Sequence, residues 1–488
     1  MRNSLKLAPA SILVAAMLFL DGCPPSFPDR CSGGECIGCD LSREPRDQPA
    51  CVVDLVGVFV SPNGDDGAEG TKRSPVKTIG KAIEKAEGRR LRIYICEADY
   101  EEAVVLKSAI SLIGGFTCND WQPGGPAKVH PKERGPALRI EGVPSPVVLA
   151  DLTFTALPAA DPGESSVGGI ISATSGVTLR RVTVAAGDGA PGKAPDPGPG
   201  RFPPAPSGNN ADGGVPGPAI VNNCPDGTVS QGGAGGPTGE RGSAGTPAIP
   251  PSPTANDDGA GGIPAAGAGC SASGTGHRGA SGRGGDGGAG ASTIGGATAS
   301  GWGGTNGAAG GSGQTAQGGG GGGGLEGPSG GGGSGGCGGQ GGAAGQCGGS
   351  SIALLALESR VTLEACVLLA GNAGNAGDGG NGQVGQTAGN TGAGQGCNGG
   401  PGGYGGHGGG GGGGAGGSSI ALGYRGLIPV LDGAEVDRAD ARPGWSTAAA
   451  GKAGSPGQAG RGPNGEGGSG AAGTAGISGV AAAVLPVP

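Results

Sequence analysis

Only one constellation in the chain combines the residue types of acid–base chemistry at matched positions. The runs VVLADLTFTAL (147–157), VTLRRVTVAAG (177–187) and VTLEACVLLAG (361–371) align without a gap. Asp151, Arg181 and Ala365 then share one register, with Ala150, Arg180 and Glu364 beside them. Carboxylates and a base carried on adjacent strands are what a polysaccharide lyase or hydrolase needs to move a proton at a sugar ring, and Asp151, Arg181 and Glu364 are the candidates. The same pattern also describes the solvated face of exposed strands, where charged residues are ordinary. Other chemistry finds less support. His130, His277 and His407 are too far apart in sequence to argue a catalytic triad or a metal pair, and no phosphate-cradling GxxxxGK[ST] motif occurs. Asn63, Asp65 and Asp66 lack the complete order of a calcium loop and read as a turn. Trp121, Trp302, Trp445, Tyr404 and Tyr424 have faces on which sugar rings can stack, although Trp121 belongs to the cap-like segment and is expected to pack there. Neither a metal nor a cofactor is expected.

The cysteines speak about compartment. Arg2 and Lys6, an apolar run from Leu7 to Leu20, and Asp21-Gly22-Cys23 read as an export signal, the run being too short for a membrane span. Cys23 after Gly22 resembles the lipobox of bacterial lipoproteins, which implies cleavage before Cys23 and acylation there; Asp21 departs from that pattern. Of 13 cysteines, an even number then remains for disulfides in an oxidising compartment. Cys96 with Cys118, Cys337 with Cys347, and Cys366 with Cys397 are the local candidate pairs, although connectivity does not follow from sequence. Cys31, Cys36, Cys39 and Cys51 have the spacing of an iron–sulfur centre, but an exported chain favours a disulfide knot.

The elements that would position Asp151, Arg181 and Glu364 are the repeated runs themselves. Each is followed by an insert (158–167, 188–347, 372–415), then by a GG-led second run such as GGSSIAL, which occurs at both 348–354 and 416–422. With the inserts removed, the period is about two dozen residues, the length of a solenoid coil. Alternating Val177, Leu179, Val182 and Val184 supply an inward face that one coil alone cannot bury. The expected fold is all-β, a right-handed parallel β-helix solenoid with an N-terminal capping helix and long glycine-rich inserts.

The segment 58–121 carries a closer resemblance. SPNGDDGAEGT, the helix-forming SPVKTIGKAIEKA with Ile79, Ile83 and Ala86 on one face and Gly88 as its stop, and IYICEADYEEAVVLKSAISLIGGFTCNDW follow one another. Together they resemble the N-terminal domain of unknown function that begins many pectate-lyase-like right-handed parallel β-helices. The glycine-rich remainder is similar to PGRS-type, glycine-rich lipoproteins of myxobacteria. The first resemblance implies a β-helix and the second an envelope lipoprotein; neither implies an activity.

The inserts have a period of three. Glycine recurs at 327, 330, 333 and so on to 348, at 396 to 417, and again in the tail at 451 to 460 and 467 to 479. Three is the period of an extended polyproline-II-type helix, so glycine lines one side and lets a second backbone approach. Three readings follow: a collagen-like trimer, disordered loops, or a bundle of side-by-side polyglycine-II-like helices bonded between neighbours.

Glycine (123) and proline (40) make up about a third of the 488 residues and aromatics only 3%, so an apolar core must be confined to the strand-like runs. Net charge is -8 with no basic stripe, which argues against nucleic-acid binding. The expected organisation is a signal peptide (1–22), a Cys/Pro-rich tether (23–56), a cap with the first coils (57–187), an insert (188–347), a coil (348–371), an insert (372–415), the last coil (416–441) and a glycine-rich tail (442–488). The chain is expected to be exported to the cell envelope, anchored to the outer membrane or cell surface through lipid, with polysaccharide or a neighbouring cell as partner. Its leading role is non-catalytic, structural or adhesive; the alternative is a polysaccharide lyase or hydrolase.

Overall fold

A computed structural model describes residues 39–40, 43–88, 92–196, 198–247, 257–264, 270, 273–436, 443–462 and 466–488. The signal peptide, Cys23, Cys31 and Cys36 lie outside the described residues. Two units are distinguished. In the first, Met1–Cys51, a short 3-10 turn at Pro49–Cys51 ends at a disulfide between Cys39 and Cys51. The second, Val52–Pro488, holds everything that follows.

The β-helix solenoid expected from the sequence is corrected here. The strands form three parallel sheets of eight, six and six strands, together with two small antiparallel hairpins. Sheet A includes Ser111–Phe116, Val147–Ala150, Val177–Arg180 and Val361–Glu364; only its last pair, Val430–Leu431 with Ala434–Glu435, is antiparallel. Sheet B includes Ala127–Val129, Leu152–Thr155, Thr183–Ala185 and Val367–Leu369. Sheet C includes Val104–Leu106, Leu138–Glu141, Ser166–Ser172, Ser351–Leu357, Ser419–Arg425 and Ala481–Pro486. The physical reason lies in the repeat. The run read as one strand is two, because a residue in the left-handed region divides it: Asp151 (φ 54°), Arg181 (φ 52°) and Ala365 (φ 50°). A strand cannot continue through such a backbone, so the half before it joins sheet A and the half after it joins sheet B.

The three sheets share one apolar core built from in-register columns. In sheet A, Val58, Ile93, Leu112, Leu149, Leu179, Leu363 and Leu431 stand on neighbouring strands. Val129, Phe154, Val184, Leu368 and Trp445 form the column of sheet B. Each fully buried aliphatic side chain contributes roughly 1.5–3 kcal/mol of transfer free energy. The helix Ile79–Ala86 buries Ile79, Ala82, Ile83 and Ala86 in the same core. Its first N–H groups are satisfied by Glu102, which accepts from Ile79 (2.8 Å) and Gly80 (2.9 Å), while burial pushes the Glu102 carboxyl up. Asp66 accepts from Lys77 N and Thr78 N, and Asp65 from Gly67 N, so both carboxylates serve local backbone groups.

The glycine-rich segments leave sheet B and return to sheet C, and their described residues are mostly extended chains packed side by side. The tail also returns, ending as the sheet C strand Ala481–Pro486. At the point of exit, Ser166, Ser351 and Ser419 stack in register. Each stitches the exit shut: Ser351 Oγ donates to Gly187 O (2.7 Å) and accepts from Gly371 N (2.8 Å), and Ser419 repeats this with Gly371 O and Ala448 N. Nearby, Glu164 accepts from Ala160 N (2.9 Å) and Asp161 N (3.0 Å), which holds its carboxyl below the ordinary glutamate value; Arg134 adds to this at 3.2 Å. A depressed folded value means this contribution is present above the ordinary glutamate pKa and is lost as pH falls through the folded one. Urea midpoints taken from pH 6 to pH 3 should therefore fall less steeply in Glu164→Gln than in the parent; parallel curves would refute the assignment.

Candidate functional site

Asp151, Arg181 and Glu364 lie at the ends of neighbouring sheet A strands, where each is held in an ion pair. Arg181 clasps Asp151 with two bonds, Nε to Oδ1 (2.7 Å) and Nη2 to Oδ2 (2.8 Å). Arg180 pairs with Glu364 on the adjacent strand at 2.5 Å, and the two residues are partners in register. Asp151, Arg181 and Ala365 sit at the sheet A–sheet B bend, and their shared left-handed backbone is a feature of turning. The Asp151 side chain is 15% exposed and that of Arg181 32%. Arg181→Ala should cost about 1–3 kcal/mol, because a mostly buried carboxylate loses its bidentate partner. Arg181→Lys should recover only part of that in chemical denaturation, since an ammonium cannot reproduce the fork.

The most fully built feature is the interior of the glycine-rich body. Segment 398–417 is surrounded by six others. Its N–H groups donate in rotation to three: Gly408 to Gln383, Gly409 to Gly311, Gly410 to Ala471, Gly411 to Gly380, Gly412 to Ala308 and Gly413 to Thr474, at 2.8–3.0 Å. Its carbonyls accept from the other three: Gly409 from Gly342, Gly410 from Gly288 and Gly411 from Gly457. Every backbone group from Gly408 to Gly413 is thus satisfied without strand or helix pairing within the segment. Glycine is required by the closeness of the neighbours. A methyl group on Gly406 or Gly409 would overlap the carbonyl oxygen of Arg283 or Asp286. Toward the tail, side chains take over: Asn375, Asp378 and Asn381 accept from the N–H groups of Lys452 (2.9 Å), Ser455 (2.6 Å) and Gln458 (2.8 Å). These acceptors were missed in the sequence reading, although their spacing of three in GNAGNAGDGGNG matched the glycine period.

The cysteines are joined differently from two of the expected pairs. Cys96 is bonded to Cys118. Cys337 is bonded to Cys224 and not to Cys347, and Cys397 to Cys270 and not to Cys366. Cys347 and Cys366 are buried free thiols, and burial pushes both up. Sequence proximity misleads here because segments far apart in the chain lie side by side in the glycine body.

Histidines and aromatics are likewise occupied. His407, 3% exposed, lies within the central segment, its Nδ1 accepting from Gly385 N (2.9 Å) and its Nε2 facing Glu466 O (2.8 Å). His277 meets Asp258 at 2.7 Å, where the Ala260 N–H and then His277 hold the Asp258 carboxyl down. Trp121 packs edge-on against Phe59 (4.7 Å), Trp445 donates to Cys366 O (3.0 Å), and Arg278 lies over the ring of Tyr404 (5.4 Å). Tyr424 is half-buried against the core, so it and Trp445 are corrected from sugar-stacking candidates to packing residues, whereas Trp121 packs in the cap-like segment as expected. Among the described residues no group of three or more histidine, cysteine or acidic side chains is placed to hold a metal ion, and no helix is long and apolar enough to cross a membrane. Comparison with protein-family models, with curated proteins and with solved structures gives no match to the chain.

Proposed function

We propose that this is a non-catalytic cell-envelope or surface protein, structural or adhesive in role, held to a membrane by lipid at Cys23. The observation that carries the reading is the glycine body, whose central segment has its backbone groups consumed by six neighbours. A body whose interior backbone is bonded on all sides suits a part that bears load or presents surface. Four disulfides among the described residues fit an oxidising compartment, as an exported protein requires. The lyase or hydrolase alternative called for a free carboxylate and base at the sheet A face, and Asp151 and Glu364 are both tied to arginines.

The test is incubation of the mature chain with a panel of soluble and insoluble bacterial and plant polysaccharides, scoring retained protein and newly released sugar ends together. Retention without release is expected. Release abolished in Arg181→Ala would overturn the reading and make the sheet face an active site.

A further inference from the structure

Sheet C carries an outward row in strict register: Val105, Arg139, Ile170, Leu355, Gly423 and Leu485. The exposed face of a sheet is ordinarily polar, yet this row is apolar apart from Arg139. Its middle is covered by the hairpin of Gly296–Thr298 and Gly301–Gly303, whose Ala297 and Trp302 pack on Ile170, Leu355 and Ile420. Arginines from the sheet hold the hairpin down, Arg139 donating to Ser300 O (3.3 Å) and Arg425 to Ala297 O (2.8 Å). The cover stops before the first strand of the sheet. There Val105 remains 43% exposed. With Ala103, Pro131 and Pro136 it lines an open cleft of about 390 Å³ that Lys132 and Arg134 also border. That volume falls in the lower part of the range of about 300–1,000 Å³ typical of small-molecule sites.

We propose that this cleft binds a neutral saccharide, an inference that rests on the glycan-contacting reading above and gives it a location. The charges around the cleft select the ligand class. Each cation already faces a carboxylate: Lys132 meets Glu101 (2.9 Å), Arg134 meets Asp161 (2.6 Å) and Arg139 meets Glu141 (3.0 Å). An anionic ligand would have to displace those partners, so phosphate or uronate groups gain little. Neutral hydroxyls can accept from these cations without breaking the pairs and donate to Glu133, the acidic residue that lines the cleft. Val105 and the prolines offer an aliphatic floor for the C–H face of a ring.

The test uses the full mature chain, titrated calorimetrically with neutral hexose oligosaccharides and with oligouronates of equal length, beside Val105→Glu and Val105→Trp. Because Val105 is an exposed side chain, both variants should keep the parent's thermal midpoint, and the tryptophan fills the cleft without adding charge. The expected result is binding of at least one neutral oligosaccharide, weakened at least tenfold in both variants, with oligouronates bound more weakly. Preference for the uronates, or full affinity in both variants, would overturn the proposal. Retention on insoluble polysaccharide that survives both substitutions would remove the cleft and leave the adhesive reading standing. Loss of every glycan contact, in solution and on solids, would remove both.

Discussion

Gly409→Val should lower stability more than any single surface change in this protein, by about 3–6 kcal/mol. The residue donates to Gly311 O (2.9 Å) and accepts from Gly342 N (2.8 Å), and its missing side chain is what lets the Asp286 carbonyl approach. A valine there cannot be relieved by a rotamer change, because what it meets is backbone. The neighbouring segments cannot yield either, since each is bonded to others in the same body. The cost therefore includes several buried N–H and C=O groups left without partners, at about 1–3 kcal/mol each. Ala471→Val is the control, at an exposed position on the outer tail segment, and should stay within about 0.5 kcal/mol. Denaturant midpoints for the two variants decide the matter; equal midpoints would mean that the bonded interior does not hold the body together.

Breaking the Cys224–Cys337 disulfide, by replacing both cysteines with alanine, should cost about 4–5 kcal/mol in the chain-entropy account. The bond closes a loop with a sequence separation of 113, most of it glycine-rich, and an unfolded glycine chain has the most freedom to regain. The Cys270–Cys397 bond, with a separation of 127, should behave alike. Peptide mapping under non-reducing conditions gives the direct check. Fragments joining Cys337 to Cys347, or Cys366 to Cys397, would contradict the arrangement found here.

Much was legible in the residues. The aligned runs 147–157, 177–187 and 361–371 correctly place Arg180 opposite Ala150 and Glu364, because parallel strands of equal length pair in the register their sequences share. The helix Ile79–Ala86 is readable from its apolar spacing and from Gly88. What the runs could not reveal is their division into two strands. A left-handed backbone at Asp151, Arg181 or Ala365 carries no compositional mark, since none of them is glycine. That single conformational choice converts the strand position of Asp151 and Arg181 into a bend, where the two form an ion pair.

The chain by itself determined its local periods: two in the apolar runs, which makes inward-facing columns, and three in the glycine segments, which leaves one side free of side chains. Those follow from the geometry of extended backbones and need no tertiary information. Only the tertiary structure decided which segments became neighbours. A glycine segment carries no side-chain code that distinguishes one partner from another, so its neighbours are set by where sheets B and C hold its ends. The same holds for the cysteines, whose pairing depends on adjacency across the body rather than along the chain, and for Glu364, whose partner Arg180 is 184 residues away.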